Sequence, residues 1–136
     1  LGVLSKFWNE KNYKGARVKT VLIVEDYADV RMMMKIMIQH CGYKVLEASD
    51  GYEAVETARK HDLDLIFMDL SMPLMDGLTA TKIIRKTENC SDVPIIALTA
   101  YGDLYYEKAI KAGCNDVINK PMNFDKIEPI IEQYTN

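Results

Sequence analysis

The stretch Leu65-Ile66-Phe67-Met68-Asp69-Leu70-Ser71-Met72-Pro73-Leu74-Met75-Asp76-Gly77 decides the fold. Its first four residues form an unbroken apolar run, and Asp69 ends it. Such a run is the pattern of a parallel strand buried on both faces, not the alternation of a half-solvated one. Working outward, near-continuous runs recur at Val21 to Glu25 and Pro94 to Thr99, with shorter strand patterns at Lys44 to Ala48 and Asp116 to Asn119. Amphipathic stretches separate them. Val30, Met33, Met34, Met37, Ile38 and Cys41 fall on one helical face that stops before Gly42, a natural left-handed cap. Ala54, Val55 and Ala58 suggest a second helix, and Leu78, Thr81, Ile84 and Arg85 a third. A fourth, carried by Leu104, Tyr105, Ala109 and Ala112, ends at Gly113, and Ile127, Ile130, Ile131 and Tyr134 mark the fifth. Strict strand–helix alternation predicts an α/β, doubly wound parallel sheet with helices on both faces and right-handed crossovers.

The length of 136 residues, 49% of them hydrophobic and 27% charged, fits one domain. No apolar run exceeds four residues, which leaves no candidate for a membrane span or a signal-peptide core and sets a cytoplasmic expectation. Cys41, Cys90 and Cys114 are widely spaced, without a CxxC or a nearby His pair, and read as reduced, buried thiols. His40 and His61 stand apart from each other and are assigned no role.

Charge divides the chain. Residues 1–20 carry Lys6, Lys11, Lys14, Arg17 and Lys19 against Glu10, or +4, leaving −7 for the rest of the −3 total. An acidic body disfavours direct nucleic-acid binding, which needs clustered Lys and Arg. The leader, residues 1–18 with Phe7, Trp8 and Tyr13, reads as a linker or tag-derived arm, with contact to an acidic partner as the alternative. The chain starts with Leu1 instead of Met, so a piece of a longer protein or a processed form is expected.

In doubly wound sheets the chemistry sits beyond the carboxyl ends of the strands. Glu25 and Asp26 end the first predicted strand, Asp69 the third, Thr99 the fourth, and Lys120 the fifth. Taken singly, each is an ordinary cap or turn residue; their joint placement at one sheet edge is what points to chemistry. Three converging carboxylates repel one another unless a cation lies among them. Mg²⁺, or Mn²⁺ in its place, suits Glu25, Asp26 and Asp69, since it takes one or two carboxylates, keeps waters and accepts phosphate oxygens. Lys120 supplies a mobile charge and Thr99 a hydroxyl for the equatorial oxygens of a transferring phosphoryl group. No Ser, Cys or His stands at these strand ends, so the candidate nucleophile is the carboxylate of Asp69. Nucleotide binding lacks its loop, with neither GxGxxG nor GxxxxGK[ST] present.

Val24-Glu25-Asp26, the stretch Met68 to Gly77, Leu98-Thr99-Ala100 and Asn119-Lys120-Pro121 together resemble the receiver domain of two-component response regulators, over roughly residues 19–136. Asp50-Gly51-Tyr52-Glu53-Ala54 and Lys111-Ala112-Gly113-Cys114 look like its secondary landmarks. The resemblance implies a CheY-like, flavodoxin-like (βα)5 fold with strand order 2-1-3-4-5. It implies that Asp69 accepts a phosphoryl group from a histidine kinase or histidine phosphotransfer protein. It also implies that Asp26, Asp69 and the Ser71 backbone carbonyl hold the metal, with Glu25 acting through metal-bound water. Lys120 would pair with the phosphoryl oxygens and Thr99 swing toward them. The implied partner surface is the fourth helix, fifth strand and fifth helix, presenting Tyr105, Tyr106 and Lys108 to a downstream effector, with a phosphorylation-dependent dimer as a further outcome. A cis Lys120-Pro121 bond is also implied. The protein would then be a switch that catalyses its own phosphorylation and dephosphorylation without being a turnover enzyme, standing alone or cut from a hybrid kinase with residues 1–18 as the incoming linker.

The sequence departs from the family pattern in three respects. Val117 stands where an aromatic is usual, and Tyr101 is a candidate substitute. Ser71 and Tyr101, neither acid nor amide, flank the expected path of attacking water, which predicts slow loss of the phosphoryl group. Pro129 inside the fifth helical pattern should start or kink that helix. The Met-rich first helix (Met32, Met33, Met34, Met37) reads first as core packing, with an adaptable docking face as the alternative. Two rival functions remain: an aspartate-nucleophile phosphatase, whose second Asp would stand at Ser71, and an interaction module that works without phosphate.

Overall fold

The computed structural model describes residues 17–136. The basic leader lies outside the described residues except for Arg17 and Val18. Five parallel strands, β1 (Thr20–Val24), β2 (Lys44–Ala48), β3 (Leu65–Asp69), β4 (Ile95–Thr99) and β5 (Asp116–Asn119), pair in the order β2-β1-β3-β4-β5. Five helices connect and follow them: α1 (Ala28–His40), α2 (Gly51–Lys60), α3 (Gly77–Arg85), α4 (Gly102–Ala112) and α5 (Phe124–Thr135). A 3-10 turn, Glu88–Cys90, precedes β4.

Every residue of β1, β3 and β4 is buried, the outcome expected of continuous apolar runs covered on both faces. Alternation along each strand divides the core in two. Leu22, Val24, Ile66, Met68, Ile95 and Ala97 pack with Ala54 and Ala58 of α2, Ala80 and Ile84 of α3, and Ala109 of α4. Val21, Ile23, Leu65, Phe67, Ile96 and Leu98 pack with Met34 and Ile38 of α1 and Ile127 and Ile131 of α5. Small residues dominate the α2, α3 and α4 contacts, so those helices lie close to the sheet.

Strand ends differ from the sequence reading by one residue, for identifiable reasons. The first strand runs Thr20–Val24, although the Glu25 amide still donates to the Ala48 carbonyl at 3.1 Å. Pro94 falls outside β4 because it has no N–H for the ladder, yet its carbonyl accepts from Ile66 at 2.9 Å.

Two helical readings need correction. Pro129 does not start α5: the helix begins at Phe124 and continues through the proline to Thr135. Asp125, whose carbonyl loses its i+4 donor, and Pro129 are both exposed, so water can replace the missing bond. The methionines of α1 do not all pack inward. Met34 is buried and Met37 partly so, but Met32 and Met33 are 52% and 59% exposed. On α4, Leu104 likewise faces solvent, and half-buried Tyr105 packs against the core instead.

The amino end of the sheet is tied by Arg85. Its guanidinium donates to the carbonyls of Gly113 (2.8 Å), Ser91 (3.1 Å) and Val93 (2.6 Å) and to Asn115 Oδ1 (2.9 Å), joining α3 to the segments entering β4 and β5. At the same end Arg17 makes a bidentate pair with Asp64, at 3.0 and 2.6 Å.

At the opposite end, α3 starts against the last residue of β3. Asp76 caps it, accepting from the Thr79 amide at 2.8 Å. A Cβ on Gly77 would stand 2.2 Å from the Asp69 carbonyl oxygen, so only glycine lets the helix begin there. Gly77→Ala is expected to destabilise the domain by about 2–3 kcal/mol, read as a lower urea midpoint with an unchanged m-value.

Candidate active site

The strand order reverses direction between β2-β1 and β3-β4-β5, and the switch point opens a crevice at the carboxyl edge. Register brings the candidate residues to that crevice. Val24 pairs with Met68, Asp69 with Leu98 and Thr99 with Asn119, so the residues at and just after these positions share one rim. Glu25 and Asp26 follow β1, Asp69 closes β3, Thr99 closes β4, and Lys120 follows β5. The Lys120-Pro121 peptide bond is cis.

Carboxylate oxygens of Glu25, Asp26 and Asp69 lie within 4.8 Å of one another. Glu25 and Asp69 are buried, at 0% and 1% exposure, and Asp26 is half-buried. The Lys120 ammonium stands 2.8 Å from Glu25 Oε1 and 3.2 Å from Asp69 Oδ2. These contacts are ionic in distance, but the two oxygens have no hydrogen-bond partner of good geometry among the described residues, and neither does buried Asp26 Oδ1. The second oxygens of Glu25 and Asp69 are held by backbone: Glu25 Oε2 accepts from the Tyr27 amide at 3.2 Å and Asp69 Oδ1 from the Ser71 amide at 3.0 Å. Thr99 is buried, its hydroxyl accepting from the Tyr101 amide at 3.1 Å.

The two buried carboxylates are driven apart in acidity. Burial pushes the Glu25 carboxyl up, but Lys120 and the Tyr27 amide outweigh it and hold the group below its usual value. Asp69 moves the other way. Burial, reinforced by the negative charge of Glu25, raises it from 3.8 to about 6 against the Ser71 amide and Lys120. Lys120 is raised despite its own burial, because both carboxylates favour its charged form. The site is thus a charge-frustrated cluster in which one ammonium serves two carboxylates while buried carboxylate oxygens lack hydrogen-bond partners among the described residues.

Those orphaned oxygens are hard donors, and with waters completing the shell they fit an octahedral Mg²⁺ or Mn²⁺. Sequence reasoning brought all five strand-end residues to this rim but missed their supports. Arg31 on α1 donates to the Glu25 carbonyl at 2.8 Å, and Asn119 accepts from the Gly102 amide at 2.8 Å. Both contacts depend on where a helix starts relative to a neighbouring strand, which periodicity does not report. Tyr101 is 63% exposed.

The sequence profile of the response regulator receiver domain matches residues 21–132. The chain belongs to the response regulator receiver domain family. Among curated relatives, the polar-differentiation response regulator DivK of Brucella ovis is 34% identical over 117 residues, spanning 85% of this chain and 95% of DivK. The crystal structure of the receiver domain of sensor histidine kinase PA1611 from Pseudomonas aeruginosa is similar at a TM-score of 0.82 and 35% identity, covering 88% of this chain and 98% of that one; it holds a magnesium ion in its active-site cleft. The receiver domain of Saccharomyces cerevisiae Ssk1, crystallised with the histidine phosphotransfer protein Ypd1, is represented by a match at a TM-score of 0.79 and 30% identity, covering 87% and 89% of the two chains. The (βα)5 receiver fold and its strand order thus agree with the sequence reading. Among the described residues of this receiver domain, no helix is long and apolar enough to cross a membrane.

Because the folded-state Asp69 value lies above 3.8, the folded domain binds more protons than the unfolded chain between about pH 4 and 6. Stability contributed by neutral Asp69 is therefore lost as pH rises through that window. In EDTA at about pH 7.5, Asp69→Asn is expected to be more stable than the parent by on the order of 2 kcal/mol. That margin should shrink toward pH 4, and urea denaturation at the two pH values checks both sign and window.

Proposed function

We propose that this receiver domain is a phosphorylation-activated switch in which Asp69 accepts a phosphoryl group from a phosphohistidine. The observation that carries the reading is the buried Asp69 carboxylate with the Lys120 ammonium 3.2 Å away and two further carboxylates beside it. An Asp69 oxygen attacks phosphorus in line, the O–P bond forms as the N–P bond breaks, and the imidazole leaves with the electron pair. Lys120 exchanges its contact with Asp69 for the phosphoryl oxygens, so that positive charge already in place meets the negative charge that arrives. Glu25, Asp26, Asp69 and the Ser71 backbone carbonyl would hold Mg²⁺, Glu25 through water; the ion would supply charge neutralisation and orientation of the phosphoryl oxygens. The Ser71 amide on Asp69 Oδ1 fixes the orientation of the carboxylate.

A donor that is a histidine kinase or histidine phosphotransfer protein is supported by the likeness to the Ssk1 receiver domain crystallised with Ypd1. The new dianion then draws the Thr99 hydroxyl, which abandons the Tyr101 amide and shifts the balance between two arrangements of the α4 approach. On that face Tyr106 is exposed and the Lys108 ammonium lies 5.7 Å from the Tyr105 ring, a surface suited to an effector.

Incubation with Mg²⁺ and acetyl phosphate is expected to add one phosphoryl group by intact mass, labile at alkaline pH and absent from Asp69→Asn. Lys120→Ala should bind the metal yet slow adduct formation by about 10²-fold or more, on the scale of a lost transition-state charge. Since Ser71 offers only a short hydroxyl and Tyr101 neither an acid nor an amide to position attacking water, the adduct should hydrolyse slowly. Tyr101→Ala is expected to shorten its lifetime severalfold, measured as phosphate release.

A further inference from the structure

The amino end of α4 is held in an unusual way. Its cap residue, Tyr101, makes no side-chain cap bond, so the helix would begin with orphaned amides. Two strand residues supply the acceptors instead. Thr99 Oγ1 takes the Tyr101 amide at 3.1 Å, and Asn119 Oδ1 takes the Gly102 amide at 2.8 Å. Thr99 and Asn119 are register partners on β4 and β5, and the Lys120 amide donates to the Thr99 carbonyl at 2.9 Å. The fit is close: a Cβ at Gly102 would stand 2.5 Å from Asn119 Oδ1. On its solvent side the α4–β5 seam borders a cleft of about 510 Å³ lined by Leu104, Tyr106, Lys108 and the small side chain of Val117, while Ala109 and Tyr105 pack on its inner side. The Gly102–Asn119 bond is thus a direct tie between the start of α4 and the end of β5.

We infer that Asn119 is a positioning residue of the switch, the latch that keeps the first turn of α4 attached to β5 when Thr99 leaves it. The inference rests on the reading of Asp69 as phosphoacceptor. Of the two acceptors, only Thr99 stands to be drawn toward a phosphoryl group. Asn119 is joined by one peptide to Lys120, whose ammonium already faces Glu25 and Asp69. A displacement of Lys120 thus reaches α4 through a single residue and a single hydrogen bond, and the helix pivots about Gly102 without coming loose.

Amide NMR with hydrogen exchange tests this on the full chain, free and with Mg²⁺ plus beryllofluoride, a tetrahedral phosphoryl mimic. In the parent, the mimic should speed Tyr101 amide exchange by about tenfold while Gly102 stays protected. Asn119→Ala should still take the mimic at Asp69, yet Gly102 should lose about tenfold in protection in both states and the shift changes along α4 should fall by about half or more. Asn119→Asp, which keeps an acceptor oxygen in place, should restore both. Unchanged α4 shifts in Asn119→Ala overturn the inference, as does a loss of protection spread evenly over the sheet, the mark of a merely structural role. If Asn119→Ala does not fold, Gly102→Ala attacks the same bond from the helix side, and a parent-like α4 response in that variant overturns the latch. No mimic at Asp69 in the parent overturns the phosphoacceptor reading and this inference with it; mimic bound with α4 unmoved overturns the latch alone.

Discussion

One ammonium between two buried carboxylates organises this domain's functional edge. Lys120, carried on the residue after the fifth strand, reaches back across the switch point to Glu25 and Asp69. Burial makes that contact strong and makes its absence costly, since each carboxylate would otherwise face a low-dielectric wall and a like charge. The five-stranded order matters because it is what sets the ends of β1, β3 and β5 around one crevice. The close approach of α3 at Gly77 belongs to the same requirement, bringing backbone near the crevice without filling it. A site with one cation for several anions is left wanting positive charge, and that want is what a metal ion or a rearranged lysine can satisfy.

Much of this was legible in the sequence because burial on both faces leaves a plain signature. Leu65 to Met68 has no polar interruption, so the strand and the candidate Asp69 at its end are read together. The strand-end residues then fall on one rim by topology alone. What stayed hidden depends on three-dimensional neighbours. Arg31 on the Glu25 carbonyl and Asn119 on the Gly102 amide join residues whose relation is set by how a helix enters the rim. Leu74 is similar: it adopts a positive φ of 67° with 84% exposure, a conformation that its residue type does not announce.

The exposed methionines of α1 and the start of α5 upstream of Pro129 share a cause. Periodicity marks an apolar face but not how much of it the sheet covers. On α1 the core takes Met34 and Ile38 and leaves Met32, Met33 and Ile36 in solvent. On α5, propensity against Pro129 is overridden by Ile127 and Ile131, both fully buried against the sheet on either side of it. Tertiary burial decides both outcomes, in opposite directions.

The two ties at the amino end of the sheet differ in what they are made of. Arg17 and Asp64 form a charge pair with the arginine 63% exposed, open to screening by mobile ions. Arg85 instead spends its donors on three neutral carbonyls and a carboxamide, dipoles that dissolved salt scarcely weakens. Ionic strength therefore acts on the attachment of the incoming chain while the base of the sheet keeps its shape. The domain carries a salt-sensitive tie beside a salt-indifferent foundation, both at the end of the sheet opposite the acidic crevice.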